Sequence, residues 1–257
     1  DEQIDGDIGM FETAFLSDED WTAKWICLSE TPLKRDYPAS GIGVERKKVA
    51  VEDMILGEVY QVRKEFFVKK KVKRARAYIT AHGAYLPMLD GKRVGHYELA
   101  PGHSDYANQL FYQIYDITDE LQVGYHAIGA YVADGWYRSR IGFSGENCQF
   151  GTRLAILMQL EVEYQDGGRE SIGSDKSFLV SKGAYQYADL MVGEKYDAQK
   201  ELAGFFEYGY GGSVKETEEM EIPLTNLKAQ PGENVEVLEE ISPIFAERTD
   251  VGDIVLD

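Results

Sequence analysis

Between residues 66 and 174 the chain repeats one pattern: short runs in which apolar and polar residues alternate, each closed by a glycine-bearing turn. Ala75, Ala77, Ile79 and Ala81 alternate with Arg76, Tyr78, Thr80 and His82. A period of two puts one set on a buried strand face and the other set on the opposite face. Phe66-Phe67-Val68 lies before this run; Leu110 to Tyr115 and Tyr125 to Ala133 come after it, and residues 154–164 begin mixed and end alternating. Asp90-Gly91 and Asp166-Gly167-Gly168 are hairpin signals, because a type I′ turn needs positive φ at both central residues. Pro101-Gly102 marks another turn. Asp116 to Leu121, closed by Gly124, predicts one capped helical turn. No long amphipathic helical pattern interrupts the series. Seventeen Tyr, eleven Phe and 26 Gly suit strands and turns. The pattern predicts an all-β fold, two packed antiparallel sheets forming a jelly-roll-like β-sandwich.

Charge narrows the partners. A net charge of −18 repels a phosphate backbone, so nucleic acid is excluded. No apolar run reaches the roughly 18 residues of a membrane helix. Residues 63–76 hold eight basic side chains and one acid, Glu65, whereas residues 215–257 hold twelve acids and three bases. These stretches read as a solvated strand face and an acidic, flexible segment. Cys27 and Cys148 show no metal-type spacing, and their pairing stays open. His82, His96, His103 and His126 form no H-x-x-x-H or H-E-x-x-H pattern, so zinc lacks support. Trp21 and Trp25 read as packing residues. Residues 30–57, with Pro32, Pro38, Gly41 and Gly43, read as a long irregular loop. No charged-then-apolar leader opens the sequence, and the compartment stays open between cytoplasm and export.

Several short phrases occur in a fixed order: Leu89-Asp90-Gly91-Lys92-Arg93-Val94-Gly95, Leu99-Ala100-Pro101-Gly102 with Ser104-Asp105-Tyr106, Tyr115-Asp116-Ile117-Thr118 and Ala133-Asp134-Gly135-Trp136-Tyr137-Arg138. Together they resemble the non-catalytic β-sandwich of bacterial α-L-rhamnosidases, glycoside hydrolase family 78. The resemblance implies a carbohydrate-binding-module type of sandwich upstream of an (α/α)6 barrel that performs hydrolysis. It also implies that residues 1–17 end a preceding domain or linker, that 18–208 form the accessory sandwich, and that 209–257 are an acidic linker and the start of the following β domain. The chain is then expected to be a piece of a longer bacterial protein. Hydrolysis of a glycoside needs two flanking carboxyl groups; the resemblance places them in the barrel, so no catalytic residue is expected here.

Sugar binding calls for carboxylates that accept hydrogen bonds from hydroxyls and for aromatic faces that cover C–H patches. Asp134, Trp136 and Tyr137, in a glycine-bearing loop, and Glu194, Tyr196 and Asp197, in the phrase Gly193-Glu194-Lys195-Tyr196-Asp197-Ala198, are the candidate residues. The expected ligand is L-rhamnose or a rhamnosylated glycan. The competing reading has these carboxylates capping turns or pairing with bases, and the sandwich merely bracing the barrel. His103, Phe178 and Phe205 stand where the resembled family has tryptophan, and Gln199 where it has arginine. Asp90 reads as a turn residue. No cofactor is expected. Calcium-assisted binding in the resembled family would require oxygen ligands drawn from distant loops, since no EF-hand-type loop is present.

Overall fold

The structure is a computed structural model that describes residues 12–28, 31–36, 50–142, 145–243, 245–248 and 254–256. The centre of the expected loop at 30–57 lies outside them. The strands are β1 (Trp25–Cys27), β2 (Tyr60–Val68), β3 (Val72–His82), β4 (Ala84–Leu89), β5 (Lys92–Arg93), β6 (Tyr97–Glu98), β7 (Leu110–Asp116) and β8 (Gly124–Ala133). A single helical turn, α1 (Gly135–Arg138), follows. Then come β9 (Ala155–Tyr164), β10 (Arg169–Gly173), β11 (Leu179–Lys182), β12 (Tyr185–Asp189), β13 (Gly193–Tyr196), β14 (Lys215–Glu216), β15 (Glu218–Met220), β16 (Leu227–Ala229), β17 (Val235–Glu236), β18 (Ala246–Arg248) and β19 (Ile254–Leu256).

Two sheets form the expected sandwich. One runs β15-β1-β9-β3-β7-β16, with β10 also on β9; the other runs β14-β11-β2-β8-β4-β5. Every described strand pairing is antiparallel except β16 on β7. Ala75, Ala77, Ile79 and Ala81 of β3 face inward with Ile156, Met158 and Leu160 of β9, against Val62, Ile128, Ala130 and Val132 of the other sheet. Ile79, Ile128 and Ile156 have no exposed surface, and burying such a side chain contributes about 1.5–3 kcal/mol.

The opposite face of the first sheet is also covered. Tyr78 and Thr80, expected on a polar face, are buried. Trp21, Trp25, Tyr106, Tyr112, Tyr137 and Leu157 make a second apolar cluster there, with Phe15, Met220, Ile222, Leu224 and Leu227 packed on it. Phe15 stacks on Tyr78 at 3.9 Å. Gln159, fully buried on β9, accepts from the backbone N–H of Thr22 (2.7 Å) and Ala23 (2.9 Å) and donates to the carbonyl of Asp20 (2.8 Å). This double burial explains why β9 does not alternate in its first half. The segment expected to be an acidic linker contributes β14, β15 and β16 to the two sheets.

The turns follow their residues. Asp90 (φ 49°) and Gly91 (φ 77°) connect β4 to β5. The Asp90 carboxylate also accepts from the Ala127 N–H at 2.8 Å and lies 2.5 Å from His126 Nδ1. The segment expected to be a helical turn is a plain turn: Asp116 accepts from the Thr118 N–H at 3.0 Å, and Gly124 opens β8. The basic stretch is mostly exposed and paired, with Lys69–Glu170 at 2.9 Å, Lys70–Asp166 at 2.6 Å and Lys73–Glu163 at 2.6 Å. Such surface pairs contribute at most about 1 kcal/mol each. Arg63 departs from the expected solvated face. It is buried, paired with Glu65 at 2.6 Å, bonded to the Glu207 carbonyl and packed near the Phe205 and Tyr210 rings. Cys27 and Cys148 are both buried and are not joined by a disulfide.

Candidate functional site

The six candidate residues fall into two groups. Asp134 follows β8 as the N-cap residue of α1, a helical turn where a loop was expected. The Asp134 carboxylate accepts from Arg138 Nε at 2.6 Å, and both side chains are 2% exposed. Burial raises the Asp134 pKa while the guanidinium pulls against it. A carboxylate so enclosed is occupied with its own helix turn. Tyr137 is buried, stacked on His82 at 4.5 Å and edge-on to Tyr106 at 5.1 Å. Burial also pushes its phenol upward. Trp136 is half-buried, edge-on to the exposed His103 at 5.2 Å. Of this group, Trp136 alone offers ring surface to solvent.

The second group lies on the β12–β13 hairpin, set against the outer face of the second sheet. Alternation along β2 and β8 sends Gln61 and Tyr131 outward, opposite one another in register. Tyr131, Leu86 and Met88 form the floor of a cavity of about 490 Å³. Tyr185, Glu194 and Tyr196 wall it from the hairpin, and residues 201–207 close the other side. Tyr185 meets Tyr131 edge-on at 5.8 Å and Tyr196 at 5.0 Å, while Phe206 lies 4.9 Å from Tyr131. The Tyr196 hydroxyl donates to Glu201, and that bond pushes the phenol up to about 12. Glu194, Glu201 and Glu207 are exposed carboxylates among the lining residues. Asp197 stands just behind, accepting from the Gln199 N–H at 3.2 Å to cap the 3-10 turn Ala198–Lys200.

Glu194 and Tyr196 thus share a cavity, Asp197 supports its rim, and Asp134, Trp136 and Tyr137 lie elsewhere. Sequence reasoning missed Tyr131, Tyr185, Phe206, Glu201 and Glu207. Tyr185 had a signal: it sits on the strand that returns as Tyr196, and the two are register partners. Phe206 and Glu207 come from a non-local strap and had none. Aromatic walls with carboxylate acceptors are suited to a neutral polyol. Among the described residues no group of three or more His, Cys, Asp or Glu side chains could hold a metal ion. A larger cleft, about 810 Å³, opens between the sheet edges beside Tyr60, Val180, Lys182 and Glu216.

The chain matches the family described as "Alpha-L-rhamnosidase N-terminal domain" over residues 70–239, more than half of its length. The chain belongs to this family. An α-L-rhamnosidase of Streptomyces avermitilis is 48% identical over 151 residues, covering 58% of this chain and 15% of that protein. The crystal structure of native α-L-rhamnosidase from Aspergillus terreus superposes with a TM-score of 0.80 at 30% identity, covering 93% of this chain and 26% of that one. The Streptomyces avermitilis α-L-rhamnosidase complexed with L-rhamnose superposes at 0.74 with 39% identity, covering 79% and 20%. The chain therefore spans about a quarter or less of these relatives. It corresponds to the N-terminal accessory domain of these larger relatives, and the expected β-sandwich is the fold it has. No helix among the described residues is long and apolar enough to cross a membrane.

Proposed function

We propose that this domain holds L-rhamnose or a rhamnosylated glycan for an α-L-rhamnosidase whose hydrolytic carboxylates lie in a barrel outside these residues. The observation that carries the reading is the cavity behind the β12–β13 hairpin, where five aromatic rings and three carboxylates converge. Glu194 and Glu201 accept hydrogen bonds from vicinal hydroxyls, and the rings of Tyr131, Tyr185 and Phe206 meet the apolar faces and the methyl group of the 6-deoxy sugar. A relative crystallised with L-rhamnose supports the ligand class.

Isothermal calorimetry with L-rhamnose, with and without calcium, tests this. The wild-type chain is expected to bind, and Tyr185→Ala to weaken binding at least tenfold while the thermal transition stays cooperative. Trp136→Ala, remote from the cavity, is expected to leave the affinity unchanged; loss of binding there instead would move the site to the His103–Trp136 edge. A bracing role without sugar binding is the second reading. It is favoured by Phe178 and Phe205, which stand at family tryptophan positions yet are 1% exposed and serve as packing. Absence of heat at millimolar sugar would decide for it.

A further inference from the structure

The outer face of the second sheet carries a second aromatic feature at its far end. Phe67 and Tyr125 are register partners on β2 and β8 with ring centroids 4.8 Å apart, and Tyr208 stacks on Tyr125 at 4.3 Å. These rings are 43%, 59% and 51% exposed, and the neighbouring Val123 is 57% exposed. A contiguous cluster of exposed aromatic rings marks a contact surface more than singly scattered ones do. Their mutual contacts fix their orientation, so little side-chain entropy remains to be lost on contact.

Alternation places Phe67 and Tyr125 on the same face as Gln61 and Tyr131, which line the cavity. The two register pairs are six positions apart on each strand, 61 to 67 and 131 to 125, or about 20 Å at ~3.3 Å per residue. The strap carrying Phe205, Phe206 and Tyr208 runs over this face from one aromatic group toward the other, anchored where Arg63 bonds the Glu207 carbonyl at 2.7 Å. Three half-exposed rings offer on the order of 300 Å², well below the ~800 Å² per partner of a stable protein interface. With a chain charge of −18 and Glu65 and Glu207 beside the rings, an acidic glycan would be repelled.

We propose that Phe67, Tyr125 and Tyr208 form a sugar-stacking platform that, together with the β12–β13 cavity, selects a neutral glycan chain several residues long over a monosaccharide. The platform covers the C–H face of a sugar ring distant from the residue held in the cavity. This rests on reading the domain as a glycan binder, but the platform and the cavity can fail separately.

The experiment is calorimetry of the full 257-residue chain with two probes, L-rhamnose and a linear α-linked L-rhamnose hexasaccharide, backed by sedimentation velocity. The hexasaccharide is expected to bind at least tenfold more tightly than L-rhamnose. Tyr125→Ala and Tyr208→Ala, both at exposed positions, are expected to remove that advantage and leave L-rhamnose binding intact; Tyr185→Ala weakens both probes. If L-rhamnose gives no heat while hexasaccharide binding survives Tyr185→Ala and is lost in Tyr125→Ala, the cavity reading fails and the platform stands. Hexasaccharide affinity unchanged in both Tyr125→Ala and Tyr208→Ala overturns the platform, as does a wild-type chain that binds neither probe. A change of oligomeric state in Tyr125→Ala without a change in glycan affinity also overturns it, in favour of a protein contact.

Discussion

His82 shows how one residue records the double burial of the first sheet. It was expected on the polar side of β3, yet its ring lies 4.5 Å from Tyr137 and 4.9 Å from Trp25. Burial pushes its pKa down to about 4 from 6.5. The folded chain therefore binds fewer protons at this site than the unfolded chain between these two values. The stability it permits is complete above pH 6.5, falls as pH drops toward 4, and changes no further below that. The loss approaches about 3 kcal/mol over the window. Urea unfolding of wild type and His82→Phe at pH 7 and pH 4.5 isolates this contribution from the carboxylates: the gap between the two proteins should shift by about 2 kcal/mol in favour of His82→Phe at the lower pH. Asp134 teaches the same lesson. Its partner Arg138 is four residues away, a spacing visible in sequence, but only the enclosure of both groups makes the pair internal.

At the scale of elements, local chemistry predicted the hairpins well. Asp90, Gly91 and Gly167 form their turns because those residues tolerate positive φ. Gly129 is a different case, a glycine inside β8 that no turn requires. A Cβ there would lie 2.1 Å from the Val62 carbonyl oxygen and 2.9 Å from the Phe206 ring. The missing side chain lets the strap press Phe206 against the outer face of the sheet. Gly129→Ala is expected to destabilise the fold by about 1–3 kcal/mol, seen as a melting temperature lower by roughly 2–10 °C. It should also weaken the rhamnose binding proposed for the cavity, because Phe206 walls it. The expectation at 116–121 went the other way: the Asp116 cap bond forms, but β8 begins before a helix can.

For the whole molecule, the acidic C-terminal stretch matters most. Its composition suggested a solvated linker, yet β14 pairs β11, β15 pairs β1 and β16 pairs β7 in parallel. Leu224 and Leu227 pack on the second cluster. A chain ending at residue 208 is expected to lose the cooperative thermal transition of the full chain or melt far below it. It should bind the dye ANS through the uncovered face of Leu110 and Tyr112. A truncated chain with an unchanged melting curve would show that the sandwich closes without these strands.

The strand pattern, the hairpin turns and the inward set on β3 were legible in the residues, because period-two alternation and positive-φ preferences are properties of neighbours in sequence. The family phrases were legible for the same reason, being short and contiguous. Burial on the far side of the first sheet, the enclosure of Asp134 and Arg63, and the meeting of Tyr131, Tyr185 and Phe206 were decided by tertiary structure. Each depends on segments far apart in the chain crossing one sheet face. A strand's own sequence specifies which residues share a face, while what covers that face depends on the path of the remaining chain.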